Sequence, residues 1–333
     1  MKIVVDAFGG DYAPQEIVAG AVNALQANQD LQIVLVGDKD KITEILQNLV
    51  FVSDRLEIVH APDIVTMDDV PTVAIRTKKN SSIVVAYDYL KNNDDAVALV
   101  SAGSTGATLT GAVLKLGRIP HISRPALAPI LPTVNDRGVM LLDCGANADC
   151  KAENLMDFAI MGDEYMKAIG VKKPRIALLN IGTEEEKGSE MIKQAHALLK
   201  ASKLNFVGNI EARDVLKGTV DVVVADGFSG NVCLKTIEGT AEILFGELKD
   251  ITKSSFKAKI GALMLKNNLR GIKSKYDYRK VGGAPLLGVS KIVLKCHGNS
   301  KADAIATTIN QAYTLGKNNL IEKVKQAVDK EEK

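Results

Sequence analysis

One pattern repeats along this chain and constrains its fold more than any other feature. A short apolar run rich in Val, Ile and Leu is followed by a polar turn, usually with glycine, and then by an amphipathic stretch. Runs that are apolar throughout are typical of parallel strands buried on both faces, and the amphipathic stretches would supply the crossover helices. We predict a strand at each of eight places: Ile3–Asp6, Gln32–Val36, Leu56–Val59, Ala96–Val100, Val139–Leu142, Arg175–Leu179, Val220–Ala225 and Ile292–Lys295.

One region departs from this pattern. Two short apolar runs, Ala126–Pro132 and Gly138–Leu142, flank the polar turn Asn135–Gly138, so we predict a hairpin or mixed pairing there. The 333 residues contain neither a repeat of fixed period nor a low-complexity linker. We therefore expect residues 1–333 to form one large α/β unit. Its halves would either share a continuous sheet or close on each other across a cleft.

The charge and aromatic content argue against nucleic acid as a partner. The net charge is only +2, and aromatic residues make up 4% of the chain, with no Trp. Proteins that bind nucleic acid carry a strongly basic face, and those that bind single strands use aromatic stacking platforms. A globular enzyme fits this composition better.

The sequence also bears on the cellular compartment and on metal binding. The first apolar run stops at Asp6, too short for the core of a signal peptide, and no stretch approaches the ~20 apolar residues that span a bilayer. We expect a cytoplasmic protein, or one peripheral at the inner face of the cell membrane. The four cysteines form no CxxC pair and lack a histidine at metal-ligand spacing, so we predict reduced thiols, no metal and no cofactor. These cysteines are Cys144, Cys150, Cys233 and Cys296.

The segment from Lys253 to Lys280 differs from the rest in charge. It holds nine basic residues and one acidic residue, a net +8 in a chain whose total is +2. Apolar residues recur within it at roughly helical spacing, which predicts a basic amphipathic helix. Such a helix could be a solvated face packed on a neighbour, or a docking surface for an acidic protein or an anionic membrane. The candidate docking residues are Lys257, Lys259, Lys266, Arg270 and Lys273, and a separate charged helix is predicted over residues 317–333.

The candidate site follows from position as well as from residue type. In open α/β sheets, ligands bind beyond the carboxyl ends of the strands, and the turn Ser101–Ala107 follows one of these ends. Ser104 can cap the next helix, while Gly103 and Gly106 let the backbone approach a ligand. This arrangement can hold an anion such as phosphate, although a simple capped turn would look the same. Gly10 and Asp11 form a second turn of this kind.

Other strand ends carry further candidates. Lys187 lies among carboxylates ahead of a helix, where it could offset the charge of an anionic nucleophile or form only a surface ion pair. The stretch Asp226–Asn231 supplies a carboxylate, a hydroxyl and an amide at one strand end, and His297 adjoins a glycine at another.

Several familiar motifs are missing. The chain has no GxGxxG, GxxxxGK[ST], HExxH or GxSxG motif, and no serine or cysteine is convincing as a nucleophile. The chain thus has turns that could bind phosphate but no convincing protein nucleophile. This combination fits a reaction in which phosphate itself is the nucleophile. A thiolate leaving group would need no strong general acid, because a thiol is already fairly acidic.

Taken together and in this order, the strand-end motifs resemble those of the bacterial phosphate acyltransferases of phospholipid synthesis, the acyl-[acyl-carrier-protein]:phosphate transacylases. The similarity covers about residues 1 to 316. The matching segments are Asp6–Asp11, Arg76–Ser82, Ser101–Ala107, Arg124–Ala128, Asp143–Asn147, Asn180–Gly188, Asp226–Asn231, Gly282–Gly288 and His297–Ser300.

The resemblance implies a three-layer α/β/α sandwich with a mostly parallel sheet, similar to the isocitrate and isopropylmalate dehydrogenases, and usually a homodimer. It implies transfer of a long-chain acyl group from acyl carrier protein to inorganic phosphate. The acyl-phosphate would then pass to a membrane-bound glycerol-3-phosphate acyltransferase. An acyl carrier protein is acidic, so the basic segment would suit it as a docking surface.

Carried onto this chain, the family pattern suggests a role for each candidate. Ser104, Thr105 and Gly106 would hold phosphate, with Gly10 and Asp11 lining the opposite wall. Lys187 would offset negative charge, Asn231 would form the oxyanion hole, and His297 would shuttle or position a proton. The remaining substrate-binding candidates are Gly103, Asn147, Asp226, Ser229 and Gly230.

Three alternatives stay open at this point. A short-chain phosphotransacetylase would use coenzyme A in place of the carrier protein. An NAD-dependent decarboxylating dehydrogenase could share the fold, but it needs a metal site and an adenine pocket that the sequence does not reveal. A membrane-associated scaffold would have no activity.

Overall fold

The computed structural model describes residues 1–51, 53–276 and 282–331. The strands are β1 (Lys2–Asp6), β2 (Gln32–Gly37), β3 (Leu56–His60), β4 (Ala96–Ser101), β5 (Ala126–Leu127), β6 (Ile130–Leu131), β7 (Val139–Leu142), β8 (Ile176–Leu179), β9 (Phe206–Ile210), β10 (Val222–Val224), β11 (Ala284–Leu287) and β12 (Ile292–Lys295). The α-helices are α1 (Gln15–Ala27), α2 (Lys39–Leu46), α3 (Pro71–Thr77), α4 (Ser82–Asn92), α5 (Thr105–Gly111), α6 (Ala152–Ala168), α7 (Glu190–Ala201), α8 (Gly227–Ile251), α9 (Phe256–Met264), α10 (Lys266–Lys275), α11 (Ala302–Lys317) and α12 (Leu320–Glu331).

Within these ranges the strands form two sheets rather than one. The first has the order β3-β2-β1-β4-β12-β11-β5 and the second the order β6-β7-β10-β8-β9. Pairing is parallel except at β11–β12, β11–β5 and β6–β7. The predicted hairpin is therefore confirmed as the antiparallel pair β6–β7, and the predicted mostly parallel α/β architecture is confirmed as well.

The strands are buried on both faces, which explains why they read as continuous apolar runs. In β1, Ile3 and Val5 belong to the core shared with α1 and α11, whereas Val4 packs in a separate core with α4. Successive side chains of a strand point to opposite faces, so this division places helices on either side of the first sheet. Each fully buried aliphatic side chain contributes about 1.5–3 kcal/mol relative to exposure.

The two sheets share one of these cores. In β7, Met140 and Leu142 join the same cluster as Ile3 and Val5, through helix α6. The alternate residues of β7, Val139 and Leu141, face a smaller cluster beneath α8. The second sheet thus has the same layered arrangement as the first, and the strand ends that carry the candidate residues approach each other across a cleft.

The structure contains three strands that the sequence pattern does not predict, and two helices where the pattern predicts one. β5, β9 and β11 were not predicted as separate strands. The basic segment contains two helices, α9 and α10, that meet at Leu265, where the pattern suggests one. Residues 277–280 of that segment, and residues 332–333 of the predicted terminal helix, lie outside the described residues.

Candidate active site

The first group of candidate residues lies where β1, β4 and β12 end. Ser101 at the end of β4 is paired in register with Lys295 at the end of β12. The Ser101 hydroxyl donates to Asp6 Oδ2 at 2.7 Å and accepts the Gly103 N–H at 3.1 Å. Asp6 thus fixes the start of the glycine turn that follows β4. We call the residues at these three strand ends the first-sheet cluster.

Burial dominates the electrostatics of Asp6. Its carboxylate is 2% exposed, and burial raises its pKa. Hydrogen bonds from Ser82, Ser101 and the Phe8 N–H oppose that rise, as does the positive charge of Lys295. The bonds to Ser101 and Phe8 are 2.7 and 3.3 Å long. Asp6 is therefore a structural centre of the cluster.

The predicted phosphate turn has the geometry that anion binding requires. Ser104 caps α5 by accepting the Ala107 N–H at 3.4 Å, and a π-helical turn, Ala112–Leu116, continues α5. In the described part of the chain, the N–H groups of Ser104, Thr105 and Gly106 donate to no other residue, as is usual for the first turn of a helix. Gly106 also packs against α3, since an added Cβ would lie 2.6 Å from Pro71 Cγ.

The glycine turn after β1 is tied to the turn after β12. Gly10 has a φ of 106°, a conformation that only glycine adopts readily. The next residue, Asp11, donates its N–H to the Gly298 carbonyl at 2.8 Å. The Asp11 carboxylate lies over Gly298, about 3.5 Å from where a Cβ would stand. Asp11 and His297 consequently line the same cleft.

That cleft has a volume of about 380 Å³, and its walls come from both halves of the molecule. Thr105 and His297 line it from the first-sheet cluster, and Leu234, Lys235 and Glu238 line it from α8. In the same wall, the buried Oδ1 of Asn299 has no hydrogen-bond partner among the described residues.

One residue of this cleft was missed by sequence reasoning. Lys295, the last residue of β12, is 9% exposed and lines both the cleft and a small cavity beside it. Its Nζ donates to the Ala102 carbonyl at 3.4 Å and to the Cys296 carbonyl. Burial lowers the pKa of Lys295, while Cys296, Asp6 and Asp11 favour its charged form. The available signal was a lysine at the end of an otherwise apolar strand.

The second group of candidates surrounds Asp143 at the end of β7. This buried carboxylate accepts hydrogen bonds from the N–H groups of Leu127 at 2.9 Å, Ala146 at 3.1 Å and Asn147 at 2.7 Å. It also accepts the Asn147 side-chain amide at 2.9 Å. Burial raises the pKa of Asp143, and these bonds oppose the rise. We call the residues around it the second-sheet cluster.

Several predicted binding residues also hold this cluster together through contacts within the protein. The Asn147 amide also donates to the Pro125 carbonyl at 2.7 Å, so its nitrogen binds the protein. Asp226 caps α8 by accepting the Ser229 N–H at 2.8 Å. A Cβ at Gly230 would overlap the Asp143 carbonyl oxygen, so only glycine lets α8 approach so closely.

Asn231, another candidate of this cluster, lies next to Gly145. It is exposed, and a Cβ at Gly145 would lie 3.4 Å from Asn231 Cγ. Gly145 in turn lines the small cavity of about 20 Å³ that also contains Thr105 and Lys295. Gly145 therefore separates Asn231 from the cavity beside the phosphate turn.

Lys187 lies elsewhere. It is exposed on the loop after β8, and its carbonyl accepts the Asn180 side-chain amide at 3.1 Å. It lines neither of the two cavities that contain Thr105. Its neighbours Asn180 and Gly188 border an apolar groove of about 1150 Å³ along α8, which shares Leu131 with the cleft. This geometry does not bring Lys187 to the phosphate turn.

The remaining chemistry of the site is consistent with a substrate nucleophile. Burial raises the pKa of all four thiols, that of Cys296 to about 11, and a protonated thiol is a poor nucleophile. Among the residues that the structure describes, no cluster of three His, Cys, Asp or Glu side chains is arranged to hold a metal ion.

The candidate docking residues lie on the two basic helices. Lys257 and Lys259 are in α9, Lys266 and Arg270 are in α10, and the side chain of Lys273 is outside the described part. Helix α9 buries no residue, and Phe256 and Met264 are 78% and 80% exposed. In the ranges described, no helix has the length and apolar content to cross a membrane.

Comparison with known proteins decides the family. The family model described as "Fatty acid synthesis protein" matches residues 1–323. The chain belongs to that family. Two similar relatives are both called phosphate acyltransferase. The one from Caldanaerobacter subterraneus subsp. tengcongensis is 48% identical over 99% of this chain and 98% of its own. The one from Geobacillus thermodenitrificans is also 48% identical, over 99% of both chains.

These family matches confirm the resemblance drawn from the strand-end motifs, and with it the prediction of an acyltransferase. Solved structures show the same fold at low identity. A phosphotransacetylase from Streptococcus pyogenes has a TM-score of 0.64 at 19% identity, over 95% of this chain and 94% of its own. A 4-hydroxythreonine-4-phosphate dehydrogenase from Salmonella typhimurium, described as putative, has a TM-score of 0.50 at 14% identity, over 95% of this chain and 99% of its own. The predicted dehydrogenase-like fold is confirmed.

Proposed function

We propose that this family member transfers a long-chain acyl group from acyl carrier protein to inorganic phosphate and releases acyl-phosphate. The observation that carries the proposal is the cleft between the two clusters. On one wall it presents the N-terminus of α5, where the N–H groups of Ser104–Gly106 have no acceptor among the described residues. Asn231 lies against Gly145, which lines a small cavity together with Thr105 of that helix. A small oxyanion and a carbonyl group can therefore meet there in attack geometry.

The proposed reaction is a single displacement at the thioester carbonyl. A phosphate oxygen attacks the carbonyl carbon, and Asn231 with neighbouring N–H groups stabilises the oxyanion of the tetrahedral intermediate. The C–S bond then breaks, and the proton of the phosphate ends on the carrier thiol. His297 is proposed to position or pass that proton. No side chain is acylated at any stage.

Lys187 is proposed to approach the site only when the carrier protein is bound, because its exposed loop borders the groove beside the cleft. We therefore expect Lys187→Ala to lower kcat at saturating phosphate. Lys193, which lies in α7 on the same half, provides a control through Lys193→Ala. An unchanged kcat for Lys187→Ala would remove this residue from the mechanism.

The surfaces outside the cleft suggest the proposed partners. Helices α9 and α10 present basic and exposed apolar side chains together, which suits an acidic carrier protein or an anionic membrane surface. Helix α8 exposes Phe228, Val232 and Leu244, and we propose that this face joins two copies in a homodimer. The protein would work in the cytoplasm or peripherally at the membrane, where a glycerol-3-phosphate acyltransferase consumes the product.

The direct test is phosphate-dependent release of free thiol from acylated carrier protein, with acyl-phosphate trapped as its hydroxamate. The proposal predicts that thiol and hydroxamate appear together, and only when phosphate is present. Acyl-coenzyme A at the same concentration serves as the competing donor. Faster reaction with a short-chain coenzyme A thioester would contradict the carrier-protein assignment, and absence of hydroxamate with every donor would contradict the function itself.

A further inference from the structure

A buried lysine that the sequence did not suggest lies beside the phosphate turn. Lys295 ends β12, directly beside Ser101 in the parallel pairing of β12 with β4. Its side chain is 9% exposed, and it lines both cavities that contain Thr105. A lysine is rarely buried to this extent unless it is paired.

No described carboxylate forms an ion pair with Lys295. Its Nζ donates to two main-chain carbonyls, those of Ala102 and Cys296. An ammonium group has three N–H donors. The two carbonyls accept two of them, which leaves one N–H donor for a ligand. Asp6 contributes only at longer range, because its oxygens accept bonds from Ser101 and Phe8. The buried cation is therefore under-compensated by the protein alone, and burying an unpaired charge is unfavourable.

The groups around Lys295 indicate which kind of ligand would bind beside it. The ligand must be an anion, because a cation faces it. It must also be small and rich in acceptors, because the N–H groups of Ser104, Thr105 and Gly106 lie at the same strand ends without acceptors in the described chain. A phosphate oxyanion meets both requirements, and charge-assisted hydrogen bonds are the stronger ones.

We infer that Lys295 is the phosphate-binding cation of this enzyme, and that it supplies the positive charge that the first-sheet cluster needs to hold inorganic phosphate in the cleft. The inference rests on the proposed function, whose nucleophile it places. It assigns the charge-neutralising role at phosphate to Lys295, and leaves Lys187 to act on the second substrate.

The test is the equilibrium affinity for inorganic phosphate, measured by calorimetry on the full chain without any acyl donor. Lys295→Met keeps the length of the side chain and removes the charge, so the affinity should fall about 10- to 100-fold. The matched control is Lys291→Met, which removes the lysine just before β12 whose Nζ also donates to a main-chain carbonyl, that of Ala96, at 2.9 Å. The control should bind phosphate like the unaltered protein.

A second measurement keeps the inference testable if Lys295→Met does not fold. In a crystal of the unaltered protein soaked with inorganic phosphate, one phosphate oxygen should lie within hydrogen-bond distance of Lys295 Nζ. Phosphate bound out of reach of Lys295, or unchanged affinity in a folded Lys295→Met, would overturn the inference. Neither measurement uses an acyl donor. The thiol-release assay can therefore fail while phosphate binding to Lys295 is confirmed, and it can succeed while phosphate binding to Lys295 is refuted.

Discussion

The two strand-end clusters contain similar residue types but use them differently. In the first-sheet cluster, Thr105 and buried Lys295 line the cleft, and the N–H groups of Ser104–Gly106 have no acceptor in the part of the chain that the structure describes. In the second-sheet cluster, Asp143 and Asn147 use their polar atoms to hold turns together. Two charges about 4 Å apart attract by about 1 kcal/mol in water and about 4 kcal/mol at an effective dielectric of 20. A small anion therefore gains more beside buried Lys295 than beside exposed Lys187. The first-sheet cluster can bind an anion, whereas Asp143 and Asn147 of the second-sheet cluster bind the protein itself.

The largest effect should come from Asn231, the second-sheet residue to which we assign stabilisation of the oxyanion. Asn231→Ala removes a donor that we assign to the oxyanion, so kcat should fall about 10²- to 10³-fold. Phosphate affinity should stay unchanged, because the first-sheet cluster makes that site. Steady-state kinetics with acylated carrier protein and calorimetry with phosphate measure the two quantities. A comparable loss of phosphate affinity would break the division between the clusters.

Asp143 should matter for stability more than for binding. Asp143→Ala leaves four N–H donors without this acceptor, two of them buried and two part-buried, and an unsatisfied buried group costs about 1–3 kcal/mol. We expect the free energy of unfolding to fall by at least about 3 kcal/mol in urea titrations. An alanine variant of exposed Asp149, on the same loop, is the control. A loss below about 1 kcal/mol would contradict the supporting role.

The close approach of α8 to β7 gives a smaller effect. Gly230→Ala places a methyl group against the Asp143 carbonyl, so overpacking should cost about 1–3 kcal/mol of unfolding free energy. Gly239 lies in the same helix, and an added Cβ there has no neighbour within 4 Å. Gly239→Ala should therefore stabilise the helix by up to about 1 kcal/mol. Equal effects of the two changes in thermal unfolding would refute the close-approach argument.

The smallest effect concerns pH. Because burial lowers the pKa of Lys295 in the folded protein, the unfolded chain binds more protons just below the ordinary lysine pKa of about 10.4. Stability contributed at this position should therefore rise with pH through that window. The free energy of unfolding of the unaltered protein, minus that of Lys295→Met, measures this rise. A flat or falling difference would show that the amine is not held in a desolvated site.

Particular residues show which strands can be predicted from the sequence and which cannot. The buried strands were predictable because both of their faces are apolar, as Ile3, Val4 and Val5 illustrate. β9 was not, since Gly208 interrupts it and Val207 is exposed. β11 begins with Ala-Pro, and proline cannot donate to a ladder. In both cases the neighbouring strand, rather than the local pattern, determines the structure.

The site was predictable in position but not in roles. Sequence placed Thr105, Asp11 and His297 at strand ends, and the fold brings those ends together. It could not reveal that the Asn147 amide is used internally, or that Lys295 is buried, because both depend on neighbours distant in sequence. Lys187 attracted attention as a lysine among acids, yet its exposure follows from a loop conformation that its spacing does not specify.

The central claim is that phosphate itself attacks the thioester, so that the enzyme is never acylated. The most direct measurement mixes stoichiometric enzyme and acylated carrier protein without phosphate, then follows free thiol and the intact mass of the enzyme. We predict no burst of thiol and an unchanged mass, followed by rapid thiol release once phosphate is added. A burst equal to the enzyme concentration, with a mass increase of one acyl group, would contradict the account.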